Sequence, residues 1–430
     1  MKIASENDRE STRDEKVRVI LLAVKPQELS RRQAEHYLEE LAGLVDTLDF
    51  KVVDDLIVPI KTPSPKYLIG SGKAEELREL AEAHEAECIV FDDTISPAQQ
   101  RNWERLTDRC VIDRQEVILE IFSRRARTKE AILQVGLARM EYSLPRLTRA
   151  WTHLSRQRGG TRGTRGEGET QLENDRRIVL RKITSLKREL EKLQQQRLVR
   201  RRQRKTVPVP TGAIVGYTNA GKSSLLNALT DAEVNVENRL FATLDPTTKR
   251  TALPGGTEIL LTDTVGFIRK LPHDLIDAFH STLEEALTAD FLIHVVDASN
   301  PEALHHIETT EEVLRELGAS EIPSLLVFNK TDLCDDPFQI GELERRYPQA
   351  IFVSVKRKKG LEAFPPRMEK LIFPRAETSL FRLPNSRYDL AALLHRGGSV
   401  VSEEYEDSAV MITARVSEKL RGRLSKYLME

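Results

Sequence analysis

The sequence predicts an α/β protein, and three observations carry that prediction. Apolar runs of strand length alternate with helix-periodic segments over 17–112 and again over 206–374. Strands and helices in alternation build parallel sheets covered by helices. Between these stretches, two segments with helical apolar spacing flank a glycine-rich run. At ~150 residues per domain, 430 residues allow about three compact units.

Residues 1–16 are polar and are expected to form a flexible N-terminus. VRVILLAV (17–24) predicts a buried strand, 30–48 a helix, FKVVDDLIVPI (50–60) a second strand and 73–85 a second helix. ECIVFDDT (87–94) predicts a third strand, and a helix follows Ser96-Pro97, giving a parallel α/β domain over 17–112. Residues 113–205 predict an antiparallel, coiled-coil-like helical hairpin. Its arms carry Leu133, Leu137, Met140, Leu144 and Leu147, then Val179, Ile183, Leu186, Leu190 and Leu193, with Pro145 placed to kink the first. RQRGGTRGTRGEGET (156–170) holds too many glycines for a helix and predicts the tip loop, presenting Arg156, Arg158, Arg162 and Arg165. TVPVPTG (206–212) opens a third unit over 206–374, a doubly wound sheet with strands AIV, EILLTD, FLIHVVD, SLLVFN and IFVSV. Residues 375–430 predict a small α+β domain, with a helix near 387–395, strands near 399–405 and 409–416, and a final helix from Glu418.

Composition narrows the classes of function. No apolar run approaches the ~18 residues of a membrane span. The start, MKIASENDRE, lacks the apolar core of a secretory signal. Cys88, Cys110 and Cys334 form no Cys-x-x-Cys pair, which argues against a disulfide framework or a cysteine metal site. These features suit a cytoplasmic protein with at most a peripheral membrane attachment. The net charge of −1 hides an asymmetry: 113–205 hold 25 Lys/Arg against 11 Asp/Glu, a net of +14, and the remainder carries −15. Such a basic segment fits a polyanionic partner, although a solvated helical face has the same composition.

The chemistry lies in four motifs. Gly216-Tyr217-Thr218-Asn219-Ala220-Gly221-Lys222-Ser223 satisfies the full phosphate-loop pattern between a strand and a helix. Its glycines let backbone N–H groups turn onto phosphate oxygens, Lys222 adds a point charge, and Ser223 is a Mg²⁺ ligand. Asp263-Thr264-Val265-Gly266 closes the next apolar strand, where the carboxylate can hold Mg²⁺ through water and the Gly266 amide can reach a γ-phosphate. Asn329-Lys330-Thr331-Asp332 follows another strand. A carboxylate there accepts two hydrogen bonds from guanine, and adenine would leave it unpaired. Ser354-Val355-Lys356 can offer an amide to the guanine oxygen.

In that combination the sequence resembles the translation-factor-related GTPases. Phe241-Ala242-Thr243-Leu244-Asp245 sits where such proteins keep a switch, with Thr243 the candidate to close on Mg²⁺ and Thr247 its competitor. More narrowly, the chain resembles the HflX family of ribosome-associated GTPases from Val17 to Phe373. The resemblance rests on KYLIGSGKAEEL (66–77), SPAQQRNWE (96–104), RARTKEAILQVGLARMEYSLPRL (125–147), LSRQRGGTRGTRGEGETQLENDRR (154–177) and DTVGFIRKLPHDL (263–275). It implies a monomeric GTPase that cycles between GTP and GDP, binds the large ribosomal subunit and its rRNA through the hairpin, and separates or rescues ribosomes under stress. Phe267 stands where Ras-like enzymes place a water-orienting glutamine, so the catalytic group is unassigned and a slow intrinsic rate, stimulated by the ribosome, is implied. Asn219 resembles the residue of related GTPases that use K⁺. A GTP-gated regulator or scaffold acting on another RNA or protein through the hairpin is the alternative reading. An RNA-modifying GTPase is a weaker one, since no second catalytic constellation is visible.

Gly70-Ser71-Gly72-Lys73-Ala74 mimics a phosphate loop. Tyr67 occupies the place of its first glycine and Ala74 that of the Mg²⁺-ligating hydroxyl, so a strand-to-helix turn is expected, with ATP binding there the minority reading. His305-His306 reads as a surface pair, Trp103, Trp151 and Tyr142 as packing anchors, and Asp92-Asp93 as a cap.

Overall fold

The computed structural model describes residues 16–147, 165–204, 209–230, 239–254, 256–270, 286–334, 336–373, 378–416 and 418–429. Arg156, Arg158, Arg162, Trp151 and most of the expected N-terminal segment lie outside the described residues. By its internal contacts the chain divides into two units. The first comprises Met1–Arg124 and Val135–Thr184, the second Arg125–Gln134 and Ser185–Glu430.

The first unit holds a parallel sheet of order β2-β1-β3-β4, from β1 (Arg18–Lys25), β2 (Lys51–Pro59), β3 (Cys88–Phe91) and β4 (Cys110–Asp113). β1 is buried at every position except its ends, as a central parallel strand must be when both faces are covered. Capping boxes start two helices, Ser30 with Gln33 before α1 (Arg31–Thr47) and Ser96 with Gln99 before α3 (Pro97–Thr107). Between them α2 (Ser71–Ala83) follows Gly70, and its exposed Lys73 pairs with Glu76 one turn on. The Gly70–Ala74 stretch is thus a turn into a helix. Trp103 is fully buried between Tyr67 and Phe91.

The expectations for this region need correction in places. The basic helical segment was expected from residue 113, yet α4 (Arg114–Arg125) buries Val117, Ile118, Leu119, Ile121 and Phe122. Asp92, expected as a cap, accepts from Arg114 Nη1 at 2.9 Å, a pairing that offsets the burial of both charges. Helix α5 (Lys129–Ser143) gives way to a 3₁₀ turn at Leu144–Arg146 that contains Pro145, where the first arm was expected to bend; the residues directly beyond Leu147 lie outside the described ones. Helix α6 (Arg165–Arg204) begins inside the stretch expected to be loop. Once a long helix exists, each added residue gains a hydrogen bond, and Gly166 and Gly168 lower its stability by only about 1 kcal/mol each.

The second unit carries a six-stranded sheet of order β10-β9-β8-β5-β7-β6. Its strands are β5 (Thr211–Gly216), β6 (Thr247–Ala252), β7 (Glu258–Asp263), β8 (Phe291–Asp297), β9 (Ser324–Asn329) and β10 (Ile351–Phe352). Only β6 runs antiparallel, at the edge against β7. Ile214, Leu261, Phe291, Ile293, Val295 and Val327 form its packed interior with Leu225 of α7 (Lys222–Thr230). Helices α8 (Ala303–Glu316), α9 (Pro337–Arg346) and α10 (Phe364–Ile372) complete the alternation.

The same unit includes an antiparallel sheet of order β12-β13-β11-β14. It is built from β11 (Ser379–Pro384), β12 (Gly398–Tyr405), β13 (Ala409–Val416) and β14 (Leu428–Met429), with α11 (Tyr388–Gly397) and α12 (Glu418–Arg423). It is tied to the larger sheet by Thr257 Oγ1 donating to Gly398 O at 2.9 Å and Ser399 Oγ donating to Glu369 at 3.2 Å.

Candidate functional site

In an open parallel sheet the loops leaving the carboxyl ends of the strands form the ligand crevice. Those loops, after β5, β7, β9 and β10, carry the four sequence motifs. The loop after β5 curls as its glycines permit. Gly216 has φ +142° and Gly221 φ +96°, and a Cβ on Gly221 would stand 2.3 Å from Asn329 Nδ2. Asn219 also adopts a positive φ of 58°. Asn329 Nδ2 donates to Ala220 O at 2.9 Å, and its Oδ1 accepts from Val355 N at 3.2 Å. One side chain therefore joins the phosphate loop, the base-recognition tetrapeptide and the Ser354 loop.

The buried ammonium of Lys222 donates to Tyr217 O at 2.8 Å. Burial pushes its pKa down to about 8, against the pull of Asp263. Burial, helped by the charge of Lys222, lowers His294 of β8 to about 4, leaving a neutral imidazole beneath the loop. A Cβ on Gly266 would stand 2.7 Å from Thr218 Cα and 2.9 Å from Lys222 Nζ, so only glycine lets this segment lie against the phosphate loop.

Three oxygens meet beside the loop. Ser223 Oγ and Thr243 Oγ1 donate to Asp263 Oδ2 at 2.6 and 2.9 Å and lie 2.8 Å from each other. Asp263 Oδ1 is buried without a hydrogen-bond partner. Burial raises the pKa of this carboxyl, while Lys222 and the two hydroxyls oppose the rise. Two hydroxyls and an under-satisfied carboxylate are hard oxygen donors, and they fit Mg²⁺. Thr243 reaches this cluster; Thr247 opens β6, where its backbone pairs with Asp263.

Among the described residues, the cleft is lined by Thr218, Asn219, Gly221, Lys222, Ser223 and Thr243, with Phe241, Ala242, Thr264 and Gly266 beside them. Three residues expected at the nucleotide stand elsewhere. Leu244 and Val265 are buried in the core, and Asp245 faces away, toward Arg127 and Thr128. Tyr217 and Ala220 contribute backbone, with their side chains buried. The Tyr217 ring stacks on His306 at 3.7 Å, which takes that histidine out of the expected surface pair. Phe267 is fully buried and uses its backbone, accepting from Thr218 N at 2.7 Å and donating to Gly216 O at 3.1 Å.

At the base side, Lys330 sits at φ +63° and pairs with Asp297 at 2.7 Å. Asp332 accepts from Ser354 Oγ at 2.6 Å, and Arg357 stands 3.5 Å from its other oxygen. The Ser354 hydroxyl and Arg357 hold its pKa below the usual carboxylate range, so it presents an ionised acceptor. Ser354 thus works through its hydroxyl on Asp332, and the Val355 amide is engaged by Asn329. Thr218, expected as part of the phosphate loop, also holds the switch segment, its Oγ1 accepting from Phe241 N at 3.0 Å; sequence reasoning missed Arg239, which lines the cleft. Arg239 sits in a stretch with no motif.

A phosphate loop, an Asp-x-x-Gly strand end and an Asn-Lys-x-Asp turn at the carboxyl edge of one doubly wound sheet define a P-loop GTPase. Residues 211–330 match the model described as 50S ribosome-binding GTPase, 35–123 the GTP-binding GTPase N-terminal model and 125–204 the GTP-binding GTPase Middle Region model. GTPase HflX of Akkermansia muciniphila is 46% identical over 428 residues, covering 97% of both chains. GTPase HflX of Escherichia coli is 42% identical, covering 88% of this chain and 89% of its own. The crystal structure of a GTP-binding protein from Sulfolobus solfataricus with GDP covers 82% of this chain and 98% of its own, at 27% identity and a TM-score of 0.44. The chain belongs to the HflX family of GTPases and hydrolyses GTP. Among the described residues, no helix is long and apolar enough to cross a membrane.

Proposed function

We propose that this GTPase binds the large ribosomal subunit in its GTP state, separates or rescues ribosomes, and leaves after hydrolysis. The carrying observation is a match to a 50S ribosome-binding GTPase model in a chain whose 113–205 segment bears a net charge of +14. A cationic segment of that size suits rRNA phosphates, and arginines among glycines can approach a backbone closely.

Within the nucleotide site, the phosphate-loop amides and Lys222 hold the β- and γ-phosphates, and Asp332 selects guanine. Ser223 and Thr243 would hold Mg²⁺ directly and Asp263 through water; the ion supplies countercharge to the phosphate oxygens. Asn219 is the residue to which a K⁺ ion would be assigned. Thr243 and the Gly266 amide sense the γ-phosphate, so its loss frees both segments. The buried Phe267 ring cannot orient a water, so the intrinsic rate is slow and the ribosome accelerates it.

The test is co-sedimentation with purified subunits in a non-hydrolysable GTP analogue and in GDP. The protein should pellet with the large subunit in the analogue and stay in the supernatant in GDP. Equal pelleting in both, or none in either, rejects this reading in favour of a GTP-gated factor with another partner.

A further inference from the structure

Asp245 lies two residues beyond Thr243 and takes no part in lining the cleft. Its Oδ2 accepts from Arg127 N at 3.1 Å and Thr128 N at 3.2 Å, and its Oδ1 accepts from Thr128 Oγ1 at 2.6 Å. Thr128 Oγ1 in turn accepts from Ala131 N at 3.2 Å, capping the helix Lys129–Ser143. Arg127, Thr128, Ala131 and Asp245 all belong to the second unit. The carboxylate is thus gripped by three donors from a segment that carries none of the nucleotide motifs.

The switch segment is fixed elsewhere as well. Phe241, at φ +55° and 2% exposed, is tied to Thr218 Oγ1, and Leu244 is 3% exposed. Thr243 bonds Asp263 and Ser223. Two peptide units separate Thr243 from Asp245, a reach of ~7 Å at most. Little slack can be taken up over that distance, so the two anchors are mechanically linked.

We propose that Thr128 is a positioning residue for GTP hydrolysis. By holding Asp245 it keeps Thr243 at the metal and γ-phosphate position, and nucleotide state is felt in return at the start of the helix Lys129–Ser143. This rests on Thr243 being the γ-phosphate-sensing threonine, and the variants below separate the two ideas. GTP-state occupancy and latch closure then favour each other reciprocally. GDP, which makes no demand on Thr243, is indifferent to the latch.

The experiment measures dissociation of fluorescent GTP analogue and GDP from the full chain, with kcat and KM for GTP, in Thr128→Ala, Thr128→Ser, Asp245→Asn and Thr243→Ala. Thr128→Ala should release the analogue about tenfold faster and release GDP at the parent rate. Thr128→Ser, which keeps both the hydroxyl and the cap, should restore retention. Asp245→Asn should have a smaller effect in the Thr128→Ala background than alone, because the Thr128 hydroxyl is one of the three donors that hold this carboxylate. A Thr128→Ala variant that loses both nucleotides equally, or neither, while Thr243→Ala loses only the analogue, overturns the latch. If Thr243→Ala also fails to distinguish the nucleotides, the switch assignment falls and the latch falls with it. Should Thr128→Ala not fold, Asp245→Asn alone decides between the same outcomes.

Discussion

As the residue proposed to select guanine, Asp332 depends on its neighbours for that role. The Ser354 hydroxyl orients one oxygen and, with a smaller contribution from Arg357, lowers the pKa of the group, so the carboxylate is left as a pure acceptor. Guanine offers two donors to such a group, whereas xanthine presents an acceptor in place of the exocyclic amine. Asp332→Asn replaces one acceptor oxygen with a donor, so it should weaken GTP binding at least ~100-fold and improve binding of xanthosine triphosphate. Competition between the two nucleotides for the variant measures both changes; unchanged preference for GTP would remove Asp332 from base selection. Asn329, three residues earlier, was legible in the sequence only as part of a motif. Its use as a tie between Ala220 and Val355 depends on three loops from distant parts of the chain converging, and no local spacing encodes that. Asp245 was misplaced for the same reason: its partners Arg127 and Thr128 lie 118 and 117 residues earlier in the chain, and no local spacing encodes that meeting.

At the scale of elements, the buried strands of the two mainly parallel sheets were readable, and the edge strands β4 and β6 were not. β5, β7, β8 and β9 are continuous apolar runs because both faces are covered. β6, TTKRTA, alternates between half-buried and exposed positions at the sheet edge, so its polar sequence resembles a loop. β4 was missed because four residues, CVID, are too few to show a period, although its final residue anchors a buried cluster. Asp113 accepts from Tyr142 Oη at 2.9 Å, with Glu116 and Arg146 close by. Burial, reinforced by the charge of Asp113, raises Glu116 to about 7. Between its ordinary 4.5 and about 7 the folded form binds more protons than the unfolded one, so this group's contribution to stability falls as pH rises through that window. Glu116→Gln removes the ionisation and should stabilise the first unit by about 2–3 kcal/mol at pH 8, with the advantage fading by pH 5. Urea unfolding of variant and parent at the two pH values measures it. An equal difference at both would show that titration of this carboxyl is not its source.

For the whole molecule the governing quantity is the division of charge, +14 over 113–205 against −15 elsewhere. A nucleic-acid partner is attracted by the segment and repelled by the remainder, so binding must be dominated by local cation–phosphate contacts and not by net charge. Each such contact releases counterions and adds about 0.7–0.9 to the slope of log affinity against log salt. Deleting 159–168 removes Arg162 and Arg165 but leaves the nucleotide motifs intact. If both arginines meet phosphate, the slope for large-subunit binding should shrink by about 1.5, intrinsic GTP hydrolysis should be unchanged, and subunit separation should weaken. A coiled-coil scaffold binding a protein partner would instead give a shallow slope before and after the deletion. Running the titration in GTP analogue and in GDP adds a second axis. The factor by which the analogue strengthens subunit binding must equal the factor by which subunits strengthen analogue binding. Loss of that shared factor in the deletion would place the nucleotide-sensitive contacts at the glycine–arginine stretch. Its persistence at reduced overall affinity would place them elsewhere on the chain, with the stretch acting as a salt-sensitive anchor alone.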